Sequence, residues 1–548
     1  MTNDKRPDLL HGPWMAPAIY LMMAVLYSLL VIPTWGWTYW DFGDGNYLYI
    51  ARRVREGLVL YRDILAPQPP LHTYAGVVAQ SLGEGLLGSA LIGSRIYCLG
   101  VRLLGGFALM LLAWRYFGCP FRALASAAIY LMLPIGFWWS IGYQSENLEN
   151  LFLILALFFL LPWNVKGALV AGVFSGLACQ CNMTGVPYMA VNALFLLFRK
   201  PRLAPAYIGA GLVTFVGIGL VANILTDGFY LTNVILNQVG TFPRTDILQA
   251  MSPTGDDSFL QYAVRKVSGE AWKVLELEGG HIVMAMLGAL LMLARSNDEE
   301  RDEWLRTEFL VWTLLGMLLS ICFTAKGGTV NYIFTLGEPG VALFAGGAYV
   351  TLWRWGFPQT AGEWRTLSIF NTRAFLRALC TLIVAVIPWL PASQNIRATL
   401  HEVQSELPET EVMRLRLFIE HYAKPGDTIL APPFYAWLTG TNVAGEIAEN
   451  YIWNIKFLNE SFDAQMYGKP TGEGVEKMNE VASLLREQKV AVVLLDMAQT
   501  GQVPAIKAAI AEHYQAAEEQ PFRTRNTTLM LYIPKSVRRS HLPLSLGE

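Results

Sequence analysis

The stretch WDFGDGNYLYIARRVREGLVLYRDILAPQPPLHTY (40–74) follows directly on the apolar run MAPAIYLMMAVLYSLLVIP (15–33). A run of that length crosses a bilayer as a helix. Asp41 and Asp44, set among glycines and aromatic residues, therefore stand where the helix leaves the hydrocarbon. Further on, Leu48, Ile50, Ala51 and Val54 fall near one side of a helix while Arg52, Arg53 and Arg55 cluster opposite. That pattern predicts an amphipathic helix lying in the interface, its arginines either held at lipid headgroups or kept for a functional role. Gly57 ends it, and Pro67, Pro69 and Pro70 interrupt the chain before a second apolar segment begins near Leu71.

Outward from this loop, hydrophobic residues make up 53% of the 548 and charged ones 15%. Such a balance marks a polytopic membrane protein. A net charge of −2 offers no basic field for nucleic acid, which is excluded as a partner, and the 17 tryptophans suit interfacial belts. Cys98, Cys119, Cys179, Cys181, Cys322 and Cys380 all lie in or beside apolar segments, so no disulfide framework is expected. The N-terminus is basic and then apolar without a small-residue cleavage site, so the first span is expected to be retained.

Candidate spans are 15–33, 88–112, 122–140, 148–163, 167–181, 185–198, 205–225, 281–294, 308–324, 332–352 and 374–391, about eleven in all. With Lys5 and Arg6 inside, alternate connections carry Arg115, Arg122, Lys166, Arg199, Lys200, Arg202, Arg295, Arg306, Arg354 and Arg377. The positive-inside rule makes those connections cytoplasmic. The segments 34–87, 141–147, the tip near 182, 226–280, 325–331 and everything after about 392 then share the opposite side. The expected architecture is an α-helical transmembrane domain (1–392), with a structured first loop (34–87) and a capping loop of short helices (226–280). An extracytoplasmic α/β domain (393–548) follows, in which VAVVLL (490–495) is the central strand.

Several polar features converge on that one side. Asp41 and Asp44 suit either a glycine-rich turn or a carboxylate placed to take a proton. In SIGYQSENLEN (140–150), Ser145 suits a helix cap, with Glu146 and Glu149 on one face of the helix that follows. In TAKGGTVNY (324–332), Lys326 either snorkels or, with Gly327 and Gly328, forms a phosphate site. CQCNMTG (179–185) has two cysteines but no histidine beside them, so no metal site is expected there. Nucleotide-binding glycine loops, HExxH and paired CxxC patterns do not occur, and no internal repeat is visible.

The 40–74 stretch resembles the first extracytoplasmic loop of the GT-C glycosyltransferases of the protein mannosyltransferase and lipid A aminoarabinose transferase type. Arg52, Gly57, Tyr61, Asp63, Pro69 and Pro70 match that loop in order, and SENLEN, KGGTVNY and KPGDTILAPP are also similar to the bacterial branch. The family usually carries adjacent Asp-Glu. An ungapped match on Tyr47 puts Asp44 at the second acidic position, which makes Asp44 the first choice of base and Asp41 the second. Relatives often have a lysine or arginine near the tip where this chain has QCNMTG.

The resemblance implies an inverting transfer of a sugar from a polyprenyl-phosphate donor to a lipid, glycan or protein acceptor of the cell envelope. The site would face the periplasm from a bacterial inner membrane. Asp44, Asp41 and Glu146 would be catalytic, with Glu146 orienting the acceptor or holding a divalent cation. Lys326, Arg52, Arg53 and Arg62 would meet the donor phosphate. Tyr47, Tyr61, Asp63, His72, Glu149, Asn331 and Tyr332 would position the acceptor or the loop. A transporter or lipid flippase with a periplasmic sensing domain is the alternative, and repeated halves or helix breaks at midplane would speak for it.

Overall fold

The first apolar run forms α1 (Met15–Val31) in a computed structural model of the chain. The structure describes residues 14–35, 42–64, 66, 68–236, 259–295, 301–318, 320–322, 331–356, 372–404, 407–448, 473–496, 503–518, 521–523 and 528–538.

Two helices build the first loop, α2 (Phe42–Arg55) and α3 (Pro70–Leu87). Asp44 in the first turn of α2 and Arg52, Arg53 and Arg55 in its last suit the helix dipole. Gly57 follows at φ 105°, a conformation that a side chain would resist. The helical period is as expected, and the arginines are engaged within the protein. Leu48, Tyr49, Ile50 and Ala51 are buried, and so is Arg52. Arg52 and Arg53 meet carbonyls and a carboxylate of the terminal domain, and Arg55 pairs with Glu84 of α3. Helix α3 turns through left-handed Gly88 into α4 (Ala90–Phe117), and the two cross so closely that a Cβ at Gly83 or Gly93 would strike the other's backbone.

The bundle continues with α5 (Pro120–Met132), α6 (Pro134–Ile141), α7 (Ser145–Leu160), α8 (Val165–Cys181), α9 (Gly185–Arg199) and α10 (Ala204–Leu225). Then come α11 (Phe259–Arg295), α12 (Arg301–Leu318), α13 (Glu338–Gly356), α14 (Thr372–Val386) and α15 (Trp389–Gln404). A helix overlaps each expected span. Among the described residues, however, six are long and apolar enough to cross a membrane, or seven if α5 and α6, bent by 59° at their break, count as one. The expected eleven is therefore not established. Helices α7, α8 and α9 have 16, 17 and 15 residues, short of the roughly 20 that a bilayer requires.

The stretch 259–280, expected as part of a capping loop, belongs instead to α11, a single helix of 37 residues. Its charges mislead because they are satisfied along the helix, Lys266 and Lys273 both pairing with Glu270. The remainder of that expected loop, 237–258, lies outside the described residues.

Past α16 (Leu407–Tyr422) the chain alternates strands and helices: β1 (Thr428–Leu430), α17 (Pro433–Thr439), β2 (Asn442–Val443), α18 (Glu473–Arg486), β3 (Val492–Asp496), α19 (Pro504–His513), β4 (Tyr514–Ala516), β5 (Phe522–Arg523) and β6 (Thr528–Pro534). The sheet order is β2-β1-β3-β6-β4, with β5 also on β6. Strands β2, β1 and β3 run parallel and β6 runs antiparallel to β3. β3, from the expected VAVVLL run, is central and buried at every position, as a strand covered on both faces must be. Leu48, Tyr49, Ile50, Tyr61 and Ile64 of the first loop share one buried cluster with Phe418, Ile419, Phe434 and Trp437 of this domain.

Candidate functional site

Asp44 enters α2 in its first turn, and its carboxylate is met there by an arginine that sequence reasoning had left inside a span. Arg95 of α4 grips it in fork geometry, Nη1 to Oδ1 at 2.7 Å and Nη2 to Oδ2 at 2.8 Å. The Tyr143 backbone N–H donates to Oδ1 at 2.6 Å, and Arg95 Nη1 donates also to the Ile141 carbonyl at 3.2 Å. Both side chains are wholly buried. Charge-assisted bonds of this kind are strong and directional. The fork and the backbone N–H together fix the carboxylate in place. Asp41 lies outside the described residues.

Three residues beyond Tyr143, the start of α7 places Glu146 and Glu149 in the interior, facing the α8–α9 tip. Asn182 Nδ2 donates to Glu146 Oε1 at 3.0 Å and to Ser145 Oγ at 3.1 Å. Thr184 Oγ1 reaches Glu149 at 2.9 Å. Ser145 does not cap α7, where Gln144 holds the N-cap position without a side-chain bond. The NMTG tip supplies these contacts. Its amide and hydroxyl hold the two carboxylates, and among the described residues no basic side chain pairs with either. Two buried acids satisfied only by neutral donors can take a cation or sugar hydroxyls. Among the described residues no group of three His, Cys, Asp or Glu is placed to hold a metal.

The aromatic residues of the first loop wall the same region. His72, at the start of α3, stacks on Tyr143 at 4.2 Å and meets Tyr47 edge-on at 4.8 Å. Among the described residues neither ring nitrogen has a hydrogen-bond partner, and burial pushes the imidazole down to about 3, which keeps it neutral. Tyr61 has φ 69°, unusual for a side-chain-bearing residue. Its hydroxyl donates to the Gln68 carbonyl at 2.8 Å, and Asn233 Nδ2 donates to the Tyr61 carbonyl at 2.9 Å. Asp63 accepts from the Val59 N–H at 2.7 Å and closes the turn. Tyr47, Tyr61, Asp63 and His72 thus hold the loop in shape.

The loop arginines are brought to a different place from the acids. Arg52 Nη1 donates to the Ala436 carbonyl at 2.8 Å and Nη2 to the Thr441 carbonyl at 2.5 Å. Arg53 makes a two-pronged pair with Glu446, Nη2 to Oε1 at 2.6 Å and Nε to Oε2 at 3.2 Å. Tyr49 donates to the same carboxylate at 2.7 Å while accepting from the Val443 N–H at 2.8 Å. Arg62 pairs with Asp63 and Asp227. Arg52 and Arg53 therefore join α2 to the terminal domain. Lys326 and the side chains of Asn331 and Tyr332 lie outside the described residues.

Sequence reasoning missed Arg95, Asn182, Thr184 and Tyr143 as residues of the candidate site. A signal for Arg95 existed, because a charge inside an apolar run calls for a partner. Nothing local marks the other three.

No family model and no curated protein matches the chain. Solved structures do. The oligosaccharyltransferase of Archaeoglobus fulgidus in its apo form is 14% identical with a TM-score of 0.55, over 98% of this chain and 76% of that one. ArnT from Cupriavidus metallidurans bound to undecaprenyl phosphate is 13% identical with a TM-score of 0.53, over 95% of this chain and 98% of that one. AglB from Archaeoglobus fulgidus, in complex with an inhibitory peptide and a dolichol-phosphate, is 12% identical with a TM-score of 0.51, over 95% and 77%. The chain therefore has the fold that the first-loop resemblance implied, that of the GT-C glycosyltransferases: a helical membrane domain followed by a C-terminal domain.

Proposed function

We propose that this protein is a membrane glycosyltransferase. It would take a sugar from a polyprenyl-phosphate donor and pass it to an envelope acceptor on the periplasmic face of a bacterial inner membrane. The observation that carries the proposal is a likeness of fold over nearly the whole of both chains to a protein holding undecaprenyl phosphate. Buried carboxylates behind the first loop, at Asp44, Glu146 and Glu149, supply the polar interior that such chemistry needs.

In the transfer, the acceptor oxygen bonds to the anomeric carbon as the bond from that carbon to the phosphate oxygen breaks, with inversion. The acceptor proton passes to a carboxylate and the negative charge leaves with the lipid phosphate. Because both oxygens of Asp44 are engaged by Arg95, we assign the proton to Asp41 and the anchoring of the loop to Asp44. Glu146 and Glu149 orient acceptor hydroxyls. A divalent cation there would need ligands beyond these two. Lys326 meets the leaving phosphate, where a fixed cation stabilises the transition state more than the ground state. Arg52 and Arg53, engaged at the domain joint, are withdrawn from that role.

Purified protein in lipid nanodiscs, given a panel of polyprenyl-phosphate sugars and envelope extracts, should release polyprenyl phosphate. Folded Asp41→Asn should lose roughly 10²–10⁴-fold in rate. Absence of release from every donor would sink the proposal, and full activity in Asp41→Asn would sink the assignment of the base. One feature favours the transporter alternative, the broken α5–α6 span with Glu278, Glu338 and Arg102 beside it. Facilitated movement of labelled lipid across the vesicle membrane without release of polyprenyl phosphate would decide for it.

A further inference from the structure

Helix α6 has eight residues, a rod of about 12 Å, and it lies between two buried ion pairs. Both arginines belong to α4. Arg95 and Arg102 are seven residues apart, two turns, so they share one face and stand about 10.5 Å apart along the axis.

At the start of the rod, Pro134 breaks the span and leaves the first N–H groups of α6 without helical acceptors. Ile135 N–H donates to Glu278 Oε1 of α11 at 2.9 Å, and Gly136 N–H donates to Glu338 Oε1 of α13. Arg102 Nη1 holds Glu338 Oε2 at 3.0 Å, its Nη2 donates to the Tyr130 carbonyl beyond the break, and its guanidinium lies 3.9 Å over the Tyr130 ring. At the other end, the Ile141 carbonyl accepts from Arg95, and Tyr143 N–H donates to Asp44. Acids at the N-terminus and a cation at the C-terminus suit the dipole at both ends.

We infer that Glu338, with Arg102 and Glu278, is a positioning residue for the candidate site. By seating the first turn of α6, it sets the depth and rotation of residues 141–143, on which Asp44 rests and from which α7 carries Glu146. Packing alone does not call for these charges, since apolar residues of the same volume often replace a buried ion pair without loss of stability. A short helix set at a 59° break has axial freedom that side chains lacking directional bonds leave open. Displacements of about 1 Å at a reacting centre can cost 10²-fold in rate. The inference rests on the proposed glycosyl transfer.

The test uses the full-length protein in nanodiscs, with Glu338→Gln, which keeps shape and loses charge. Gly136→Ala keeps every charge but drives a methyl group against Glu338 and Arg102. The readouts are amide exchange across 134–144, binding of undecaprenyl phosphate, and transfer kinetics. Both variants should bind the lipid within about twofold of wild type, exchange at least tenfold faster at 141–144, and lose at least tenfold in kcat with donor KM unchanged. Arg102→Lys, which keeps the charge, should restore part of the loss seen in Arg102→Met. Wild-type exchange at 141–144 in a folded Glu338→Gln overturns the inference, and so does a fall in thermal stability with kcat of the folded fraction intact. If Glu338→Gln does not fold, Gly136→Ala decides by the same criteria. If wild type transfers from no donor, the proposed function falls, while exchange at 141–144 still decides the positioning.

Discussion

Arg95 and Asp44 meet face to face, Nη1 to Oδ1 at 2.7 Å and Nη2 to Oδ2 at 2.8 Å, with no part of either side chain exposed. One comes from α4 and the other from the first turn of α2, so the pair ties the first loop to the bundle.

Removing one partner leaves the other charge buried alone. Asp44→Asn should therefore destabilise the protein by about 3–5 kcal/mol, measured by thermal unfolding in detergent. Arg95→Lys keeps the charge but loses the fork and should fall in between. A double-mutant cycle on Asp44→Asn and Arg95→Gln that gives strict additivity would disprove the coupling.

Glu446 is the hinge pin of the domain joint, taking Arg53 and Tyr49 on one carboxylate from a left-handed conformation at φ 52°. Glu446→Gln should cost about 1.5–3 kcal/mol, the range for hydrogen bonds to a charged group. Faster proteolysis or amide exchange in 407–448 is the readout. Unchanged protection would show that the apolar cluster alone holds the domain.

A methyl group at Gly83 would fall on the backbone of Gly93. Gly83→Ala should force α3 from α4 and destabilise by about 1–3 kcal/mol. Gly93→Ala should do the same, and the double variant should cost less than the sum, since one separation of the helices relieves both clashes.

His72 lies in α3, outside the membrane spans, and its folded-state value is pushed down to about 3 from an ordinary 6.5. The unfolded chain takes up this proton first as the pH drops. The stability tied to the neutral ring is fully present above pH 6.5 and is lost progressively toward pH 3, at about 1.4 kcal/mol per pH unit. His72→Phe should flatten that part of a stability-versus-pH curve, and an identical slope in the variant would remove His72 as its source.

The helical bundle, the first-loop helix and the central strand were legible because they depend on local patterns: apolar length, the 3.6 period of 47–55, and a β-branched run at 490–495. What covers each face was not. Arg52 and Arg53 could read as headgroup ligands because their partners, Ala436, Thr441 and Glu446, lie 384, 389 and 393 residues away. The same limit hid the Asn182 and Thr184 contacts to Glu146 and Glu149, where two short polar side chains in a hairpin tip resemble any other turn. Arg95 and Arg102 were different. Two arginines seven residues apart in ALIGSRIYCLGVRLLGG (90–106) mark one face of a span that calls for polar partners.

The distance in sequence between Arg52 and Ala436 also sets a schedule. At ribosomal speeds, the 384 residues between them take roughly 20–80 s to synthesise. Throughout that interval, α2 has no terminal domain to receive its guanidinium groups. The earliest part of the molecule is thus finished by the latest, and a chain released before residue 441 would carry a first loop that had never been completed.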